Sequence, residues 1–226
     1  MAVLVLLSAA AGAGIVAAYL LVHAHRRVGP LLTVRGEVLA ARLKGRHILS
    51  RTHCRAVSCF GSLDILVASA GIGGANNAIA DETLANWEKV NAVDYTGVML
   101  ADKYAIMQFL KQGHGGAICN LASMFGLVAV PSNVAYSAAK GGVVNLTKSA
   151  GTAYASHGIR VNCVCPGVIN TPLVPEEEKA KYREIHPMHR IGEDFEIASI
   201  ITFLCSQNAR FITGAAIPVD GGYTSV

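Results

Sequence analysis

Short apolar runs alternate along the chain with longer segments of helical period. Ala2 to Leu7 is a continuous apolar run of strand length, and Leu63 to Ala68, Ala117 to Leu121 and Ile159 to Cys165 are further strand-length segments, mostly apolar but carrying Asp64, Asn120, Arg160 and Asn162. Such runs, bounded by glycine, proline or polar turns, are what strands buried on both faces look like. Between them lie helix signals. A helical stretch extends from about Asp81, which can cap it, toward Gln112, with an interruption expected near Trp87. Gly113-His114-Gly115-Gly116 ends it. A further helix covers Asn133 to His157 and is broken by Gly158. A polar segment, Glu176 to Arg183, then a helix from Phe195 to Ser206, lead to a last strand over Ala215 to Val219. Strands and helices alternating at these distances predict the α/β class, a doubly wound parallel sheet with helices on both faces. No repeat, low-complexity tract or linker divides the chain, so residues 1–226 read as one domain.

The first sixty residues are harder to read. Met1 to Val22 contains no charged side chain, and by length it could span a membrane. The competing reading is a buried strand to Leu7, a loop over Ser8 to Gly14 and a helix from Ile15. It is favoured because six alanines and two glycines between Ala9 and Ala18 suit a tight strand-to-helix turn better than a lipid-facing span. A signal peptide is disfavoured, because no basic start precedes the apolar run. Val34 to Leu43 reads as a helix and Arg46 to Arg51 as a strand, while His53 to Phe60 has no clean period.

Composition narrows the functional classes. A chain 52% hydrophobic and 15% charged suits a buried sheet, and a net charge of +4 spread without clusters argues against a nucleic-acid surface. The six cysteines include no C-x-x-C pair and the eight histidines no H-E-x-x-H, so no metal site is expected. Cys163 and Cys165 fall two apart in a strand and share a face as small buried residues. This cysteine usage fits a reducing, cytoplasmic setting.

One constellation carries chemistry. Tyr136 and Lys140 are four apart in a helix and project from one face. Ser123 ends the preceding strand, where open α/β sheets bind ligands. A phenol with a pKa near ~10 is a poor base at neutral pH. An ammonium about 4 Å away, at an effective dielectric of about 20, favours the phenolate by roughly 4 kcal/mol. That is of order three pKa units, which brings a tyrosine so placed toward neutrality. The serine hydroxyl can hold the substrate oxygen and stabilise charge growing on it. Taken alone, Y-x-x-x-K also describes an exposed tyrosine beside a solvated lysine.

The surrounding motifs resolve the choice. Leu63-Asp64-Ile65-Leu66-Val67 followed by Ala70-Gly71, Asn120-Leu121-Ala122-Ser123, Tyr136-Ser137-Ala138-Ala139-Lys140, Gly158-Ile159-Arg160-Val161-Asn162, Pro166-Gly167, Thr171-Pro172, Thr213-Gly214 and Asp220-Gly221-Gly222 occur in that order. From about Phe60 to its end the chain resembles the short-chain dehydrogenases/reductases. The resemblance implies a single Rossmann-type domain that uses NAD or NADP to interconvert a small-molecule carbonyl and an alcohol. By position it makes Tyr136 the general acid/base and has Ser123 orient the substrate. Lys140 would favour the phenolate and hold the nicotinamide ribose. Pro166, Gly167 and Val168 would line the nicotinamide, with Thr171 near its carboxamide or the pyrophosphate, and Ala70 and Gly71 would pass beneath the adenine-side ribose. A homo-oligomer, dimer or tetramer, is also implied, with the glycine-rich terminus at a subunit contact. Val143, Val144 and Leu146 on the Tyr136 helix would offer apolar surface to a partner, or would be core.

Three departures from the family pattern stand out. The T-G-x-x-x-G-x-G phosphate loop is not intact. Its nearest text, Ala9-Ala10-Ala11-Gly12-Ala13-Gly14-Ile15, leaves Gly12 and Gly14 as cofactor candidates or as simple turn residues. The acidic residue after the second strand has no counterpart. Thr33 or Arg35 stands near that position, and an arginine leans toward the 2′-phosphate of NADP. Finally, register against Gly97 places Asp94 where the family carries a proton-relay asparagine, and its charge would offset part of the pull of Lys140. These departures sustain a second reading, a catalytically impaired or non-catalytic protein of the same fold.

Overall fold

A computed structural model describes residues 3–7, 31–35, 57–171 and 174–226, the first two segments as backbone strands alone. Six strands form one sheet: β1 (Val3–Leu7), β2 (Leu31–Arg35), β3 (Ile65–Ser69), β4 (Gly116–Leu121), β5 (Ile159–Pro166) and β6 (Ala216–Val219). Every pairing is parallel, in the order β2-β1-β3-β4-β5-β6. The order reverses between β1 and β3, since β2 lies on one side of β1 and the rest of the sheet on the other. At such a switch point the connections leave on opposite faces and open a crevice beyond the carboxyl ends of the strands.

Alternation along β3 shows how the sheet is covered. Leu66 and Ala68 join one core with Val98, Ala101, Ala105, Phe109, Val143 and Val144 of α2 (Gly97–Gln112) and α3 (Val134–Ala153). Ile65 and Val67 face the other way, onto Ile197, Ala198, Ile201 and Leu204 of α5 (Asp194–Cys205). Both faces of β3 are thus apolar, the arrangement a central strand of a parallel sheet demands. Phe109 is fully buried, and a Cβ on Gly116 would lie 2.6 Å from its ring, so the glycine lets helix and strand close together.

Several elements differ from the sequence-based expectation. The helix expected from Asp81 begins as α1 (Leu84–Asn91), capped by the Thr83 side chain, which accepts from the Asn86 amide at 3.2 Å. Trp87 is inside α1, and the interruption is a π-helical turn over Ala92–Thr96. α2 stops at Gly113, whose φ of 77° only glycine adopts freely. Val34 and Arg35, expected in a helix, are the last two residues of β2; a short apolar run carries no period that separates strand from helix. Val3–Leu7 is a strand paired on both sides, which excludes a membrane helix over that stretch, and no helix among the described residues is long and apolar enough to cross a membrane. The rest of the apolar start, the helix expected from Ile15, the strand over Arg46 to Arg51, and Gly12 and Gly14 lie outside the described residues.

Candidate active site

The crevice beyond β3, β4 and β5 is a cleft of about 510 Å³. Its lining brings together Gly71, Asp94, Ser123, Tyr136, Lys140, Pro166, Gly167, Val168 and Thr171. Ala70 is buried below the surface and does not line the cleft.

Several elements deliver these residues to the cleft. Ser123 lies two residues past the end of β4, in extended backbone with φ −166°. Its Oγ accepts from the Phe125 amide at 3.2 Å, so its own proton is free to donate to a substrate oxygen. Tyr136 and Lys140 sit in the first two turns of α3, where the Lys140 ammonium is 5.4 Å from the centre of the Tyr136 ring. Tyr136 packs on Val90, Ala135 and Ala139. Lys140 reaches inward, is 4% exposed, and donates to the Leu121 carbonyl at 3.1 Å.

Asp94 completes the set from the π-helical turn, an irregularity that often marks a functional position. Fully buried, it accepts from the Ile72 amide at 2.8 Å through Oδ1 and pairs through Oδ2 with Lys140 Nζ at 3.2 Å. The second contact is an ion pair off the hydrogen-bond axis, so Oδ2 has no aligned donor. Burial pushes the Asp94 carboxyl above its ordinary range, more than Lys140 and the Ile72 amide pull it down. Burial by itself would pull the Lys140 ammonium down. The adjacent Asp94 carboxylate, with Tyr136 behind it, holds it above its ordinary value instead. Lys140 is charged, because carbonyl and carboxylate oxygens surround the ammonium. Gly71 makes the crossing possible: a Cβ there would lie 3.0 Å from Asp94 Oδ2 and 3.3 Å from Lys140 Nζ.

The mouth of the cleft is built by residues that no motif had singled out. Ile72, Phe125, Asn133, Val174, Glu178 and Tyr182 line it, the last two from α4 (Glu176–Ile185). The Tyr182 hydroxyl donates to Glu178 at 2.7 Å. Asn133, three residues before Tyr136, holds the left-handed conformation at φ 62° where α3 begins. Val143 and Val144 are 0% and 6% exposed and belong to the core, so they offer no surface to a partner subunit. Cys163 and Cys165 are buried side by side as small core residues. No group of side chains among the described residues could hold a metal ion.

The cleft thus brings a serine, a tyrosine and an ion-paired lysine together at the carboxyl ends of a parallel, doubly wound sheet. The chain belongs to the short-chain dehydrogenase/reductase family, and a family model described as enoyl-(acyl carrier protein) reductase matches residues 4–224. It is 45% identical over 175 residues to cis-4-hydroxycyclohexanecarboxylate dehydrogenase of Sinomonas cyclohexanicum, covering 76% of this chain and 70% of that protein. Cyclohexanol dehydrogenase of Acinetobacter sp. (strain SE19) is 42% identical over 170 residues, covering 75% and 67%. Among solved structures, levodione reductase superposes with a TM-score of 0.86 at 26% identity, covering 100% of this chain and 98% of that one. The protein is an oxidoreductase acting on CH–OH groups with a nicotinamide cofactor.

Proposed function

We propose that this chain interconverts a cyclic secondary alcohol and its ketone, with Tyr136 as acid/base, Ser123 as the group that holds the substrate oxygen, and Lys140 as the charge that favours the phenolate. The observation that carries the reading is the convergence of all three on one cleft, with Lys140 buried and held in place by Asp94 and the Leu121 carbonyl. The ring-alcohol class is taken from the two dehydrogenases named above.

The residues present fit a dinucleotide. Lys140 has three protons, of which one goes to the Leu121 carbonyl, so a donor remains for the cleft. Gly71, at the switch point, presents bare backbone where a side chain would collide with Asp94. Gly71, Pro166, Gly167, Val168 and Thr171 would hold the cofactor with Tyr136 and Lys140. NAD or NADP, when bound, supplies the hydride acceptor for oxidation and the donor for reduction. In the oxidative direction the Tyr136 phenolate takes the hydroxyl proton of the substrate at Oη. Ser123 donates its hydroxyl hydrogen to the same oxygen and keeps it aligned as it becomes a carbonyl. Lys140 stays protonated throughout and stabilises the anionic phenol oxygen by its charge.

Arg35 ends β2 in register with Leu7, and an arginine at the end of the second strand favours NADP over NAD. A homo-oligomer would draw on the exposed apolar residues of α2, Met99, Met107 and Leu110, in place of Val143 and Val144. Free thiols at Cys59, Cys119, Cys163, Cys165 and Cys205 suit a reducing compartment such as the cytoplasm. The test of the reaction is nicotinamide absorbance during incubation with cyclohexanol or cyclohexanone, with NAD and NADP supplied separately. Turnover lost in Tyr136→Phe at unchanged folding supports the reading. A folded protein that binds neither cofactor would favour the non-catalytic one.

A further inference from the structure

The turn after β5 carries Gly167 and Val168, which line the cleft. It is held mainly by backbone. Gly167 N donates to Val219 O at 3.0 Å, Gly192 N to Val168 O at 2.9 Å, and Asn170 N to Gly192 O at 2.7 Å. The Val168 amide differs: it donates to a side chain, the Nε2 of His186, at 3.2 Å. His186 follows α4 directly and is 2% exposed. Its Nδ1 lies 2.6 Å from the carbonyl oxygen of Tyr182 in the last turn of that helix.

These partners dictate the state of the ring. A carbonyl only accepts, so Nδ1 carries the hydrogen. A backbone amide only donates, so Nε2 must present its lone pair. The imidazole is therefore a neutral bridge of one tautomer, from the helix that covers the cleft to the turn that floors it. The contact is close on the side of the turn, where a Cβ on Gly167 would lie 2.7 Å from Nε2 and 2.8 Å from Asp220 Cα. The ring is backed by Tyr223 at 5.7 Å between centroids, and Tyr223 meets Phe125 edge-on at 6.2 Å, two residues from Ser123.

We infer that His186 is a positioning residue, whose Nε2 lone pair fixes the Val168 amide and so sets the wall of the cleft against which the nicotinamide would rest. The inference rests on the oxidoreductase reading above, in which Val168 contacts that ring. It goes beyond that reading by assigning a role to a buried histidine that does not itself line the cleft.

Two substitutions separate positioning from plain packing. His186→Asn keeps a donor for Tyr182 O but is too short to accept from Val168. His186→Gln places an amide oxygen where Nε2 was. Both are compared with wild type by fluorescence titration of NADH and NADPH, by the thermal midpoint of the cofactor-free protein, and by the primary isotope effect with C1-deuterated cyclohexanol. The expected result is a cofactor Kd raised about tenfold and a larger isotope effect in His186→Asn, with His186→Gln within about threefold of wild type. A packing role would instead make both variants alike, with losses that follow the thermal midpoint, and that result would overturn the inference. So would an Asn variant that binds as wild type does. If His186→Asn does not fold, wild-type binding in a folded His186→Gln supports the inference, and weakened binding overturns it. The titration needs no turnover, so failure to oxidise any alcohol counts against the oxidoreductase reading and leaves the His186 result legible.

Discussion

Asp94→Asn removes a charge from the centre of the site while keeping the shape and the acceptor for the Ile72 amide. In the wild type, Asp94 Oδ2 is 3.2 Å from Lys140 Nζ, which is 5.4 Å from the centre of the Tyr136 ring. The carboxylate is therefore within about 9 Å of that ring, where a unit charge at an effective dielectric of about 20 contributes about 2 kcal/mol. Its sign opposes formation of the Tyr136 phenolate that must accept the substrate's proton, since one negative charge disfavours another nearby. At about 1.4 kcal/mol per pH unit, the variant's acid limb of kcat/KM for alcohol oxidation moves to lower pH by about 1.4 units. The effect holds where Asp94 is ionised and fades toward acid, because burial raises the pH at which Asp94 gains its proton. The assay is kcat/KM for cyclohexanol across pH at saturating cofactor. An unchanged limb, or one displaced toward alkali, would refute the electrostatic account of Asp94.

Other substitutions test other links in the account. Tyr136→Phe keeps the ring that packs on Val90 and Ala139 but removes the acid/base oxygen; turnover falls roughly 10²- to 10⁴-fold with an unchanged thermal midpoint, and retained turnover would remove Tyr136 from the mechanism. Gly71→Ala introduces a methyl 3.0 Å from Asp94 Oδ2, and a cofactor titration is expected to show weakened binding in a folded protein. Asp102, fully enclosed, accepts from Asn120 at 2.9 Å. Burial, opposed in part by that bond, raises its carboxyl to about 7. A raised carboxyl favours the folded state below the unfolded value near ~3.9 and loses that contribution as pH climbs through the folded value, here about 4 kcal/mol between pH ~4 and ~7. Asp102→Asn is expected to flatten that slope and to be the more stable protein at pH ~8 in denaturant titrations. Phe109→Ala empties the space above Gly116 and costs about 3–5 kcal/mol, read from the same titrations.

The parts of this molecule that were legible in its sequence are those in which spacing alone determines geometry. Tyr136 and Lys140 had to share a face once they lay in a helix, and β3 had to be buried because its apolar run leaves no polar side. Asp94 could be placed by counting from Gly97, but the π-helical turn that aims it inward has no sequence period of its own. Val34 and Arg35 show the opposite limit, since strand pairing with Leu6 and Leu7 decided their conformation. Val143 and Val144 fit core and interface equally well until the sheet was seen to lie against them. His186 was out of reach for another reason. A single histidine before a proline in a charged segment gives no sign of burial, and its partners are backbone groups of Tyr182 and Val168 that no motif encodes.

The central claim is that Ser123, Tyr136 and Lys140 form a working oxidoreductase site served by a nicotinamide cofactor. Its most direct measurement is the nicotinamide absorbance of wild type and Tyr136→Phe with cyclohexanol, run with NAD and with NADP. The account predicts a steady rise with one of the two cofactors in the wild type and no comparable rise in the variant. Equal rates in both proteins, or no rise in a wild type shown to be folded and to bind cofactor across a panel of secondary alcohols, would contradict it.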